Sequence, residues 1–162
     1  MLSKIAMTTA PVTLNTIGYQ ATTMHDFLRT LTDARVTLLV DVRRVASSRR
    51  PGFAKTSLTA NLASVGIDYL HLRSIGTPAD GRAAARSGKH DVMKQIYREH
   101  LESEEARDGI VHLLSLLDSG RPLCIMCFEH DPTHCHRMLI AEEVGKQRLT
   151  AVRHLIPETS TD

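Results

Sequence analysis

The stretch "CFEHDPTHCHR", residues 127–137, holds two cysteines, three histidines, two acids and an arginine. Thiolates are nucleophiles and metal ligands, imidazoles ligate or move protons near neutrality, and carboxylates serve as general bases or hold cations. At the start of a helix, Cys135 would meet exposed N–H groups and the positive end of the dipole, and Arg137 would lower its pKa further. Cys135 is therefore the candidate nucleophile. Glu129 is a candidate general base or substrate ligand, or else the ion partner of a neighbouring arginine. His136 is a candidate proton shuttle, or else a loop cap bonded to a carbonyl. A metal reading draws on Cys127 and Cys135 with His130 or His134. It is the fallback, because adjacent ligands at a helix start are expected to diverge and a structural zinc site normally pairs two knuckles. Cys124 and Cys127, three apart on a strand, point to opposite faces and do not make a CxxC site.

A second cluster, "DVRRVASSRRPGFAK" (41–55), sets four arginines and a lysine against one acid. Guanidinium forks bind oxyanions bidentately, so Arg43, Arg49, Arg50 and Arg137 are candidate anion ligands, with Asp41 orienting Arg43. The competing reading is a solvated basic loop with a rim ion pair. Neither a Walker loop nor a GxGxxG fingerprint occurs, which disfavours ordinary nucleoside-triphosphate and dinucleotide chemistry. Gly18 would let a ligand approach the backbone. Tyr19 and Phe53 are the aromatics near the same rim, too few for a base-stacking platform.

The elements that must position these residues alternate. Residues 12–20 read as a strand ending at Gly18, and 22–36 as a helix with Met24, Phe27, Leu28 and Leu31 on one face. Residues 37–43 read as a buried strand, 55–66 as a helix closed by Gly66, and 67–76 as a third strand. Residues 77–88, without apolar periodicity, read as a mobile loop able to act as a lid. Residues 89–117 read as two helices or one broken by "ESEEARDG". Residues 121–129 are the most apolar run and predict a central fourth strand; a helix capped by Thr133 follows, and "TAVRHLIP" is a fifth strand.

The expected fold is α/β: one domain over residues 1–162, an open, mostly parallel, Rossmann-like sheet of about five strands flanked by helices. A flexible N-terminus and a frayed tail over 157–162 are expected at its ends. Ligands of such sheets bind beyond the carboxyl ends of the strands, which would gather Gly18–Gln20, Asp41–Arg44, Arg73–Gly76 and Cys127–Arg137 at one rim.

Composition sets the outer bounds. A hydrophobic fraction of 42% and a charged fraction of 23% describe an ordinary globular chain, and a net charge of +2 is too small to announce a nucleic-acid protein. Three cysteines suit a reducing compartment better than a disulfide framework, and no apolar run spans a bilayer, so a cytoplasmic location without membrane insertion is expected.

The segments "TIGYQ", "LLVDVRRVASSRRPGF", "GIDYLHLRSIG" and "CFEHDPTHCHRMLIAEEV" together resemble the bacterial and archaeal family known as domain of unknown function 488. The Cys-x-Glu-x-x-Pro-x-x-Cys-His-Arg pattern carries most of the likeness; the "RVASS" segment departs from it. The resemblance implies a standalone α/β domain without an established reaction, and a link to DNA repair. It places the family motif on Cys127, Glu129, Cys135, His136 and Arg137, with Asp41, Arg43, Arg49, Arg50, Pro51, Gly52 and Phe53 in the second segment.

The preferred expectation is an enzyme or ligand-binding domain for an anionic substrate: a phosphate, nucleotide or nucleic acid. The alternatives are a noncatalytic nucleic-acid-binding module, and a metal or redox sensor using Cys127 and Cys135. The residues identify no cofactor and no oligomeric state.

Overall fold

Five runs rich in apolar and β-branched residues, β1 (Val12–Gly18), β2 (Leu38–Asp41), β3 (Asp68–His71), β4 (Leu123–Cys127) and β5 (Thr150–Leu155), form the sheet of the computed structural model, which describes residues 10–158. Every pairing is parallel and the order is β3-β2-β4-β1-β5. β2 and β4 are buried along their whole length, as strands covered on both faces must be.

Side-chain alternation divides the core into two layers. Leu14, Val40, Leu123, Ile125 and Cys127 face one side and pack with α3 (Ala79–Arg86), α4 (His90–Leu101), α5 (Glu104–Asp118) and α6 (His136–Gln147). Ile17, Leu39, Cys124 and Met126 face the other side, under α1 (Met24–Asp33) and α2 (Lys55–Ala63). Cys124 and Cys127 thus belong to different layers. The connections after β1 and β2 run over one face and the connection after β4 over the other, so the chain parts at the carboxyl end of β4. That is the crevice where open α/β sheets hold ligands.

Local signals explain most boundaries. The Thr23 side chain accepts from Asp26 N at the start of α1, and Phe27 and Leu31 are its buried residues. Ser103 caps α5 in the same way through Ala106 N, so the break between α4 and α5 is two residues long and "EEARDG" is helical. Gly66 takes the positive φ of 78° expected after a helix end.

Two expectations need correction. Residues 77–88 are not a loop: Ala79–Arg86 is helical, and α3 lies against α4, with Ala84 buried. Alanine is the best helix former, and tertiary packing supplies the order that a periodicity test on eight residues misses. Thr133 does not cap the last helix either. The Asp131 carboxylate accepts from Thr133 N and Oγ1 to close a 3₁₀ turn over Pro132–His134, Cys135 is extended, and α6 begins at His136.

The expected flexible N-terminus, residues 1–9, and tail residues 159–162 lie outside the described residues. Within the expected frayed tail, Pro157 is buried and the Glu158 carbonyl accepts from Thr22 Oγ1 at 2.9 Å, which ties that segment down. No described helix is long and apolar enough to cross a membrane.

Candidate functional site

Asp41 ends β2 fully buried, and its carboxylate is saturated. Oδ1 accepts from Arg43 Nε at 2.9 Å and from Arg43 N at 3.1 Å, while Oδ2 accepts from Arg43 Nη2 at 2.7 Å and Tyr69 Oη at 2.6 Å. This is the bidentate fork that fixes a guanidinium in one plane. Burial works against the Arg43 charge, but the paired carboxylate wins and raises its pKa. Nη1 of Arg43 then donates to Tyr19 Oη at 3.1 Å, and its Cζ stands 5.3 Å from the Tyr19 ring centroid. Tyr19 stacks on Phe53, ring centroids 4.6 Å apart. Burial and the bond to Asp41 raise the pKa of Tyr69.

Arg137, in the first turn of α6, is fully buried beneath the loop that follows β4. Nε donates to Thr16 Oγ1 at 3.2 Å, Nη1 to Cys127 Sγ at 3.1 Å and to the Glu129 carbonyl, and Nη2 to the His130 carbonyl at 3.4 Å. Desolvation lowers its pKa to about 10. Gly18 serves this arrangement. A Cβ there would lie 1.7 Å from the Glu129 carbonyl oxygen and 2.9 Å from Arg137 Nη1, so the glycine admits the loop rather than a ligand.

Cys135 and His136 converge although they are adjacent in sequence. Because Cys135 is extended (φ −130°, ψ 150°) and His136 is the first helical residue, Cys135 Sγ comes within 3.6 Å of His136 Nδ1. His136 Nε2 lies 2.8 Å from the Val42 carbonyl, which can only accept; the ring proton therefore sits on Nε2 and leaves a lone pair on Nδ1. Burial lowers the His136 pKa to about 4. Cys127 and Cys135 are joined as a disulfide, and both are 3% exposed.

These groups form one wall of a cavity of about 620 Å³. Cys127, Glu129, Cys135 and His136 stand together with His134; Tyr19, Arg43, Arg44 and Ser47 come from the loops after β1 and β2; Thr77, Arg82 and Arg86 come from the segment around α3. Met93, Ala85, Val45 and Phe128 supply apolar surface. Arg44 also pairs with Glu105 at 2.7 Å, and Arg82 Nη1 donates to the Thr77 carbonyl at 2.9 Å. Glu129 is half-buried and desolvation raises its pKa, against the pull of His90, His134 and Arg137.

Several residues singled out in the sequence lie elsewhere. Arg49 and Arg50 do not line the cavity: Arg49 is exposed, and Arg50 donates to the Thr22 carbonyl. Asp41, Arg137 and Gly18 sit behind the wall and shape it. His130 accepts no role there; its N–H donates to Gln20 Oε1 at 3.1 Å. His134 stacks on His90 with centroids 4.1 Å apart. Among the described residues the group with metal-ligand spacing is Cys127, Cys135 and His136, whose ligand atoms lie within 4.8 Å of one another, rather than the set built on His130 or His134. Adjacent ligands converge here because the helix starts two residues later than a Thr133 cap implies, which leaves Cys135 extended.

Arg82 and Arg86 are not among the sequence-derived candidates, because a segment without apolar periodicity reads as a loop. Their i,i+4 spacing, which places two cations on one helical face, was the available signal.

No curated protein and no solved structure matches the chain. The family model described as Domain of unknown function DUF488 matches residues 23–144, from the start of α1 into α6, and so takes in both halves of the cavity wall. The chain belongs to the DUF488 family.

Proposed function

We propose that this protein is an enzyme that binds a phosphate-bearing small molecule in the cavity beyond β4 and acts on it at the wall formed by Cys127, Glu129, Cys135 and His136. The observation that carries this reading is the charge of the lining: Arg43 and Arg44 are paired with Asp41 and Glu105, which leaves Arg82 and Arg86 opposite one lining carboxylate, that of Glu129. Guanidinium groups converging on a concave, partly apolar surface favour an oxyanion over a cation or a neutral ligand. Phe128 and Val45 offer contact for a planar apolar part, so a nucleotide-like molecule suits the cavity better than a bare phosphate. Glu129, whose pKa is raised from its ordinary value by burial, is the acid–base group of the site.

Calorimetric titration with pyrophosphate and ADP tests the reading, comparing the wild type with the Arg82→Ala/Arg86→Ala double variant. Saturable binding that weakens about tenfold or more in the variant, the loss of at least one charge-assisted contact, is expected. Absence of binding, or binding indifferent to both arginines, overturns it. Binding of a single-stranded oligonucleotide that falls steeply with salt and depends equally on Arg49 favours a nucleic-acid-binding module instead.

A further inference from the structure

We propose that Cys127, Cys135 and His136, in the dithiol state, form a three-ligand site for a divalent cation of the zinc class, with the fourth coordination position facing the arginine-lined cavity. This rests on the cavity reading above and gives its reactive wall a chemical identity.

Three independent features of the geometry support it. The ligand atoms are two sulfurs and one imidazole nitrogen within 4.8 Å of one another, a soft donor set that suits zinc and related ions. The unprotonated atom of His136 is Nδ1, on the side of the sulfurs, because Nε2 donates to the Val42 carbonyl at 2.8 Å. A ligating histidine is ordinarily oriented by such a bond from its other ring nitrogen. The Arg137 N–H to Cys127 Sγ at 3.1 Å is the corresponding outer contact for a thiolate.

The backbone spacing is the third feature. The Cα atoms of Cys127 and Cys135 stand 7.5 Å apart. Disulfides usually span about 4.4–6.8 Å between Cα atoms. Two thiolates on one tetrahedral ion, with bonds of about 2.3 Å, sit about 3.8 Å apart, which calls for the wider backbone. Three protein ligands with an open position is the arrangement of catalytic rather than structural zinc. An oxygen of the bound anion, or a water, would take that position.

The balance is simple. Reduction of the disulfide takes two electrons from a thiol or phosphine reductant and two protons, which come from the thiols or, with a phosphine, from the water whose oxygen ends in the phosphine oxide. Binding then releases one proton from each thiol, and no electrons move in that step.

The test is cobalt titration of full-length protein kept reduced by a phosphine and stripped with a chelator. One equivalent of Co²⁺ should produce sulfur-to-cobalt charge transfer and the visible bands of a tetrahedral complex. Cys135→Ser and Cys127→Ser should abolish the charge-transfer intensity, and His136→Ala should shift the visible bands. Cys124→Ala should leave the spectrum unchanged. If a cysteine variant does not fold, wild-type protein decides: one equivalent of Zn²⁺ should slow alkylation of Cys127 and Cys135 as located by peptide mapping.

Reduced wild type with no charge-transfer band, a band that survives Cys135→Ser, or alkylation indifferent to zinc overturns the site. Binding of ADP by a protein that gives no cobalt spectrum overturns the metal and leaves the cavity reading standing. A cobalt spectrum in a protein that binds none of the anions supports the metal and overturns the cavity reading.

Discussion

Arg137 reaches across 3.1 Å to the sulfur of Cys127, and every one of its hydrogen-bond partners among the described residues is neutral. A fully buried guanidinium without a carboxylate is costly, so the contacts it makes must hold something in place. What it holds is the loop after β4, through the carbonyls of Glu129 and His130.

Replacing Arg137 by methionine removes the buried charge but leaves those two carbonyls without their donor, while Thr16 Oγ1 keeps its bond with His154 Nδ1 at 2.7 Å. Each unsatisfied buried group costs about 1–3 kcal/mol, so Arg137→Met is expected to lose about 2–4 kcal/mol in urea denaturation. Arg137→Lys should fare little better, because a single ammonium cannot span β1 and the loop together. Wild-type stability in both would show that the fork does not organise the loop.

Gly18→Ala is a sharper test of the same packing. The added methyl would lie 1.7 Å from the Glu129 carbonyl oxygen, and that oxygen is held by Arg137. The strand or the loop must move, at a cost of about 3 kcal/mol or more. A lowered denaturation midpoint and altered ligand binding are expected together; a midpoint within experimental error of the wild type contradicts the close approach.

Asp41→Asn should be among the most damaging single-atom changes in the protein. It strips the charge from the carboxylate that Arg43 grips with two nitrogens, and removing one partner of a buried pair costs about 3–5 kcal/mol. Tyr69→Phe removes one hydrogen bond from the same carboxylate and should cost about 1.5–3 kcal/mol, less than Asp41→Asn. The ordering of the two variants in a denaturation series is the check.

His136 makes folding stability depend on acid in chelator-treated protein. Burial depresses its pKa from 6.5 to about 4, so between those values the unfolded chain binds a proton that the folded chain does not. Its contribution is fully present above pH 6.5, is lost as pH falls toward 4, and is flat below. The loss approaches about 3 kcal/mol. His136→Gln, which retains a donor for the Val42 carbonyl, should flatten that part of the profile. An unchanged slope would assign the acid sensitivity to another group.

Much of the architecture was legible because strong local signals agreed with the tertiary outcome. The apolar run at β4, the Thr23 cap and Gly66 each say locally what the sheet requires globally. The segment over 77–88 was not legible, since eight alanine-rich residues show no apolar stripe until α4 provides the surface they pack on.

By itself, the sequence determined the alternation of strands and helices and the presence of thiols, imidazoles and arginines in the segments that leave β2 and β4, because periodicity and residue chemistry are local properties. Tertiary structure alone decided which of those groups meet. It sent Arg43 and Arg82 to the cavity and Arg50 to a backbone carbonyl. It buried Arg137 under its own loop and turned Cys135 and His136 toward Cys127. The reason is physical: which direction a side chain takes depends on where each helix begins and which backbone groups around it still need a hydrogen-bond partner, and both are settled only when the layers pack.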